Sequence, residues 1–264
     1  MADYEVIHIA VAPPANLDAN LVRSVATVIN KSPSHTRLLL AGAVPKVIAH
    51  YDSIQMAESV IQNLRDSGLA AIACRDSELH QFPQTFKAQT MESGKKEVLF
   101  RDSAGREKRV VENNVFLILT GRMETPVEVE TTKTKIKFSP TRTLLTGGIP
   151  IWRRVGEKTT ARSIQAEYFA RLYDRKSPDP IVEILQQHMN YSFLGAKVAA
   201  SSFTNFGTVV QQLREVFPQA IFDDRLTKPS VLTTSSSQVR QYIEINCRLI
   251  YLFHAVTSGR LGSL

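Results

Sequence analysis

The first 80 residues constrain the fold most, because their apolar residues change from one period to another with almost no ambiguous stretch between. Short apolar runs predict strands, and they lie at 6–11, 45–51 and 70–74. Apolar residues at helical spacing predict helices, and these lie at 17–29, 32–40 and 55–67. Ser32-Pro33 is typical of a helix start and Gly68 of a helix end. This order predicts a β-α-α-β-α-β domain over residues 1–80.

The composition favours a folded protein without a membrane span. No run of about 18 or more uncharged apolar residues occurs, and the acidic start of the chain lacks the order of a secretory signal. Cys74 and Cys247 both lie in apolar segments, which predicts small buried side chains and not a disulfide or a metal pair. We therefore expect a cytoplasmic protein with no transmembrane segment, and 264 residues are enough for two domains.

Positive charge is concentrated in the middle of the chain. Residues 1–80 hold 6 Lys/Arg against 8 Asp/Glu, residues 81–176 hold 19 against 11, and residues 177–264 hold 7 against 6. The change of sign near residue 80 supports a domain boundary there. We expect a second domain over 84–228 and a separate C-terminal segment over 229–264.

A family resemblance covers Leu21 to Cys74. Asn30-Lys31-Ser32-Pro33 precedes an apolar helix, and Ala57-Glu58 lies in a later helix that closes on Gly68. In this order the stretch resembles the C-terminal domain of the bacterial ribosomal stalk protein and, more distantly, the protease adaptor ClpS. The resemblance implies the fold of these domains and their general class, a small partner-binding module without chemistry of its own.

From Phe86 onward the apolar period becomes that of strands. Two extended runs flank the turn-rich Asp102-Ser103-Ala104-Gly105 and predict a hairpin of 97–101 with 107–111. Further strands are predicted at 115–120, 126–138, 151–155, 164–173 and within 180–193, and a helix at 201–217. The sequence thus predicts an α+β chain in which a mainly antiparallel β domain with a capping helix follows the first domain. This order resembles bacterial pleckstrin-homology-like domains, which implies a binding or membrane-proximal adaptor module.

The C-terminal segment begins with a linker-like stretch, 230–237, that is rich in serine and threonine. In 238–253 the apolar residues surround the axis if the segment is a helix, whereas they share one face if it is extended. A strand is therefore favoured, and its apolar face would hold Ile243, Ile245, Leu249 and Phe253. Two arrangements stay open: the strand completes the chain's own sheet, or a neighbouring copy receives it in a homo-oligomer.

The motifs of enzymes are absent from the sequence. It has no glycine-rich phosphate loop and no G-x-S-x-G elbow, and the adjacent acids Asp223-Asp224 predict a solvated turn more than an acid/base dyad. With no H-x-x-x-H or C-x-x-C spacing, none of the histidines is predicted to bind a metal. The histidines are His8, His35, His50, His80, His188 and His254. We expect no catalytic residue, no cofactor and no metal.

The middle domain carries cations that could follow phosphate groups. They are Arg106, Lys108, Arg109, Lys133, Lys135, Lys137, Arg153 and Arg154. The simplest interpretation is that they decorate the solvent side of a sheet. Nucleic-acid binding is the first functional alternative, although Glu128 and Glu130 interrupt the row and no aromatic stacking platform is interleaved with it. Anionic lipid is the second alternative. The favoured hypothesis is a non-catalytic adaptor, scaffold or regulatory subunit that binds other proteins.

Overall fold

The computed structural model describes residues 5–81, 84–138, 152–228 and 236–259, with the backbone alone for 125–138, 152–164 and 236–237. In these ranges the chain is α+β, and a β-α-α-β-α-β domain precedes a mainly antiparallel β domain with a capping helix, which confirms the predicted class. No helix in the described part of the chain combines the length and apolarity needed to cross a bilayer. Most of the predicted linker, 230–235, lies outside the described residues.

The N-terminal domain is a three-stranded antiparallel sheet with its helices in the predicted order. The strands are β1 (Ile7–Val11), β2 (Lys46–Tyr51) and β3 (Ala71–Arg75), and β1 lies between the other two. The helices are α1 (Ala19–Val28), α2 (Pro33–Leu40), α3 (Ile54–Asp66) and the unpredicted short α4 (Asp76–His80). Asp18 and Ser32 cap α1 and α2 by accepting hydrogen bonds from backbone N–H groups of the first turn.

All five residues of β1 are buried, so layers must cover both faces of this sheet. Ile7, Ile9 and Val11 pack in a core with α1, α2 and α3. Ala10 belongs to a second core on the opposite face, together with Ile72 of β3. Because side chains alternate between the faces of a strand, the second face requires a covering element from another part of the chain.

The second domain contains two sheets and a helix. Its strands are β4 (Lys87–Ala88), β5 (Thr90–Ser93), β6 (Glu97–Arg101), β7 (Glu107–Val111), β8 (Val115–Phe138), β9 (Trp152–Asp174), β10 (Pro180–Leu185) and β11 (Ile221–Leu226), and its helix is α5 (Ser202–Val216). The predicted β6–β7 hairpin is confirmed, and with β5 it forms one antiparallel sheet. The larger sheet has the order β11-β8-β9-β10-β4, in which the β11–β8 and β10–β4 pairs are parallel.

The smaller sheet and α5 cover one face of the larger sheet. Phe206, Val209 and Leu213 form the buried stripe of α5, and they share a core with Phe100 of β6 and Leu172 of β9. The capping role predicted for residues 201–217 is therefore confirmed.

The C-terminal segment is a helix, α6 (Ser236–Thr257), so the prediction of a strand at 238–253 is wrong. One side of α6, with Ile243, packs on the second face of the larger sheet. Its other side, with Leu249, Phe253 and the partly buried Ile245, packs on the open face of the N-terminal sheet. A helix enclosed by two sheets is apolar all round, which is why no single stripe marks it in the sequence. Residues 238–253 are therefore helical and covered by their own chain, and they are not a strand that a neighbouring copy could receive.

The expected turn at Asp223-Asp224 is also corrected, because both residues lie in β11. Asp223 is buried and accepts hydrogen bonds from Arg225 Nε at 2.9 Å and His254 Nε2 at 2.7 Å. Burial by itself raises the pKa of Asp223, but the bonds from His254 and Arg225 outweigh it and hold this pKa below its ordinary value. The carboxylate thus joins β11 to α6.

Residues 115–120 and 126–138 were predicted as separate strands, yet β8 runs through Gly121 without a break. Gly121 pairs with Phe169 on one side and Leu226 on the other. A Cβ atom at this position would lie 2.6 Å from Phe169 Cε1 and 2.9 Å from Leu226 Cβ. The glycine is therefore needed for the aromatic ring to lie over the strand, and it does not end the strand.

The Gly121→Ala variant is expected to lower the free energy of unfolding by about 1–3 kcal/mol, because the added methyl group overpacks a filled core. Urea denaturation of the full chain measures this change. The matched control is Gly207→Ala in α5, where no atom lies within 4 Å of the new Cβ. That change is expected to raise stability by up to about 1 kcal/mol, since alanine favours a helix interior. Equal effects of the two substitutions would contradict the packing argument.

Candidate functional site

The β8–β9 pair is the longest strand pair in the described part of the chain, and it extends beyond the strands β11 and β10 that flank it in the larger sheet. β11 pairs with β8 as far as Gly121, and β10 pairs with β9 from Phe169 onward. Beyond these points the described part of β8 pairs with β9 alone, and their register runs to Phe138 opposite Trp152. We call residues 125–138 and 152–165 the β8–β9 arm. At the usual rise of a strand, about 3.3 Å per residue, the arm extends about 45 Å.

The base of the arm is fixed to the body of the second domain. The Tyr168 ring lies 5.0 Å from the Phe203 ring and 6.4 Å from the Phe206 ring, both on α5. The Arg122 guanidinium lies 5.9 Å from the centre of the Tyr168 ring, a distance typical of a cation–π contact. The backbone N–H of Gln186 also donates to the Tyr168 carbonyl at 2.9 Å. These contacts attach the base of the arm to α5 and to the residue that follows β10, Gln186.

Charge along the arm is distributed unevenly. The arm and its connection, residues 125–165, hold eight Lys/Arg and three Asp/Glu. The distal half of the arm and its connection, residues 132–158, hold seven Lys/Arg and one Asp/Glu, a net charge of +6 in a chain whose whole formal net charge is +7. Glu128 and Glu130, which interrupt the basic row in the sequence, lie in the proximal half of the arm, where the register places Glu128 opposite Arg162.

The predicted basic residues are divided between two sheets. Five of them lie in the distal arm, where the register places Lys137 opposite Arg153 and Ile136 opposite Arg154; the five are Lys133, Lys135, Lys137, Arg153 and Arg154. The other three, Arg106, Lys108 and Arg109, lie in or beside the β6–β7 hairpin.

Two of these hairpin cations already have partners. Arg106 Nε lies 2.6 Å from Asp102 Oδ2, and Arg109 Nη1 lies 3.1 Å from Glu97 Oε1. The arm therefore holds the larger share of the predicted basic set, and one member of it, Lys133, lies opposite Glu157 in the register.

A cleft of about 670 Å³ lies beside α6, β9 and β10, and its charged groups are largely paired with one another. Arg171 on β9 binds Glu183 on β10 and Glu244 on α6 through hydrogen bonds of 2.5–2.9 Å. Arg248 on α6 is ion-paired with Asp179. These pairs join the strands of the second domain to the helix, so the cleft is held together by its own charges.

Sequence reasoning missed a cluster of histidines in the N-terminal domain. His8 of β1 lies directly opposite His50 of β2, and Asp76 and His80 of α4 complete the group. The spacing Asp76-x-x-x-His80 is the one local signal, because i and i+4 share a helix face. Burial, followed by the neighbouring His8 and Lys31, lowers the pKa of His50. A hydrogen bond with His8 is the main cause that lowers the pKa of Asp76.

Comparisons with known proteins add no assignment. No family model matches the chain, and neither a curated protein nor a solved structure matches it significantly. The resemblances to the stalk domain, to ClpS and to pleckstrin-homology-like domains therefore stay predictions.

Proposed function

We propose that this chain is a non-catalytic binding protein that engages a nucleic-acid duplex through the distal half of the β8–β9 arm. The observation that carries the proposal is the net charge of +6 in residues 132–158, the distal half of the arm and its connection. Lysine and arginine neutralise phosphates and release counterions, which is the main source of affinity for nucleic acid that does not depend on sequence. In this proposal the two-domain body anchors the arm.

The shape of the arm supports a duplex as the partner. A two-stranded β-ribbon fits the major groove of B-DNA, which is about 12 Å wide. An arm of about 45 Å is longer than one helical turn of a duplex, which spans about 34 Å. Both strands contribute cations at the same end, since Lys137 and Arg153 are paired in the register. A ribbon of this kind can contact phosphates on both sides of a groove.

A protein partner, the favoured hypothesis from the sequence, receives less support from this charge distribution. Protein interfaces are depleted in lysine, and three lysines alternate with other residues in the distal part of β8. Adaptor function stays a prediction, and so does a cytoplasmic location. Anionic lipid would be drawn to the same cations, and binding to lipid vesicles distinguishes that partner from a duplex.

Binding of a fluorescent 30-base-pair DNA duplex by the full chain is expected to weaken steeply with salt. With about six phosphates neutralised, the affinity falls about 10³-fold between 50 and 200 mM salt. Neutralising Lys133, Lys135 and Lys137 together by substitution with glutamine is expected to reduce the slope of log K against log[salt] by about 3. Fluorescence anisotropy measures both quantities.

The matched control replaces three exposed lysines outside the arm, Lys95, Lys96 and Lys176, with glutamine. This variant has the same net charge as the arm variant, and its slope is expected to stay within about 1 of the wild type. Equal losses in the two variants would show that general charge, and not the arm, binds the duplex. Binding to phosphatidylserine vesicles without binding to the duplex would also overturn the proposal, in favour of lipid.

A further inference from the structure

Three side chains with metal-binding donor atoms lie close together in the N-terminal domain: His8 on β1, and Asp76 and His80 on α4. His8 Nε2 lies 2.8 Å from Asp76 Oδ1, and His80 Nδ1 lies 3.0 Å from the same oxygen. One donor atom from each of the three residues lies within 4.8 Å of the other two. In a tetrahedral zinc site with bonds of about 2.1 Å, ligand atoms are about 3.4 Å apart. The His8–Asp76 and His80–Asp76 distances would each have to increase by roughly half an ångström to reach this spacing.

The ring nitrogen of His8 that does not face Asp76 makes a hydrogen bond of its own, with His50. The second nitrogen of a metal-binding histidine is usually hydrogen-bonded in this way. His8 Nδ1 lies 2.7 Å from His50 Nδ1, so one proton is shared between these two nitrogens. Without a metal ion, His8 Nε2–H donates to Asp76 Oδ1. A bound ion would replace that proton, and the proton shared with His50 would then lie on His8 Nδ1 and be donated to His50. Such an outer hydrogen bond fixes the tautomer and the orientation of a ligating histidine.

The neighbouring cysteine differs from these ligands in its chemistry. Cys74 lies opposite His8 in the register, is fully buried, and donates from Sγ to the His8 carbonyl oxygen at 3.7 Å. Its sulfur is not one of the donor atoms that lie within 4.8 Å of one another. The ligand set is therefore two imidazoles and one carboxylate.

We infer that His8, Asp76 and His80 form a binding site for one divalent transition metal ion of the zinc class. Nitrogen and carboxylate ligands in this number suit Zn²⁺ and also Co²⁺. The side chains of Asp76 and His80 are 48% and 37% exposed, which leaves a path for the ion and a fourth position for water. The ion would join β1 to α4, and α4 contributes Leu79 to the core shared with Leu249 and Phe253 of α6.

The test titrates ZnCl₂ into the tag-free, chelator-treated full chain by isothermal titration calorimetry. We expect one ion per chain, and a thermal midpoint that rises by about 5 °C or more when free zinc is 100 times the dissociation constant. Titration with Co²⁺ is expected to give the intense visible absorption of a four-coordinate site. The variants His80→Ala and Asp76→Asn change exposed residues, and each is expected to weaken zinc binding at least tenfold.

The matched control is His188→Ala, because His188 is also exposed and lies 3.8 Å from a carboxylate oxygen of Glu167. This pair has no third ligand in the described part of the chain, and its loss is expected to leave zinc affinity unchanged. Absence of stoichiometric binding by the wild type would overturn the inference. So would folded His80→Ala and Asp76→Asn chains that bind zinc as tightly as the wild type.

Discussion

A chain truncated after Pro229 is expected to lose its native tertiary structure in both domains, because α6 covers one face of each sheet. The helix buries six large apolar side chains: Val239, Ile243, Leu249, Ile250, Tyr251 and Phe253. At about 1.5–3 kcal/mol for each, their burial contributes roughly 9–18 kcal/mol. Typical net stabilities are only about 5–15 kcal/mol. Near-ultraviolet circular dichroism and amide hydrogen exchange would report the loss.

Two point variants separate the roles of the two sides of α6. Leu249→Ala removes packing against the N-terminal sheet, and Ile250→Ala removes packing against the larger sheet. Each is expected to cost about 2–5 kcal/mol. Hydrogen exchange should accelerate first around Ile72 in the former and around Leu117 in the latter. A truncation after Gly259, which leaves α6 complete, is the control. Native spectra and exchange rates in the chain cut after Pro229 would show that α6 is dispensable.

Local signals explain why so much of the fold was predictable. The start of α2 is visible as Ser32-Pro33 because the serine oxygen accepts a hydrogen bond from the His35 N–H. The β6–β7 hairpin is visible because Asp102 accepts hydrogen bonds from the backbone N–H groups of Ala104 and Arg106 within the turn. In both cases the residues that determine the structure are within a few positions of each other. The alternation of strands and helices in the first 80 residues depends on the same short range.

The elements that were predicted wrongly or missed are those that depend on contacts with residues far away in the sequence. Hydrophobic periodicity assumes one buried face, and α6 has two, one for each sheet. Strand β11 contains Asp223-Asp224 because the buried Asp223 has a partner, the half-buried His254, on the distant α6. His8 and Asp76 are 68 residues apart, and the fold alone makes them neighbours. The length of the β8–β9 arm was missed because Gly121, read as a strand end, is required by the Phe169 ring.

The Arg171→Met variant is expected to lower the free energy of unfolding by about 3–5 kcal/mol, because it leaves a buried carboxylate without its partner. Arg171 and Glu183 are both nearly inaccessible, with 3% of each residue exposed. The Arg171 guanidinium binds Glu183 through Nε and Nη2 and reaches Glu244 through Nη1 and Nη2. One residue therefore connects β9, β10 and α6. Urea denaturation of the full chain measures the loss.

A second substitution distinguishes the unpaired charge from lost packing. Without Arg171, the Glu183 carboxylate stays buried and loses its cationic partner, and an unpaired buried charge is costly. Adding Glu183→Gln should recover part of the loss at pH 7.

The matched control for the buried pair is an exposed one. Arg101 Nε lies 2.8 Å from Glu107 Oε1, and both side chains are about half exposed to solvent. Arg101→Met is expected to cost about 0–1 kcal/mol, since water solvates the carboxylate that remains. If Arg171→Met is as mild as this control at pH 7, the three-element ion pair does not hold α6 on the sheet. The apolar packing of Ile243, Ile250 and Tyr251 would then account for the attachment of the helix.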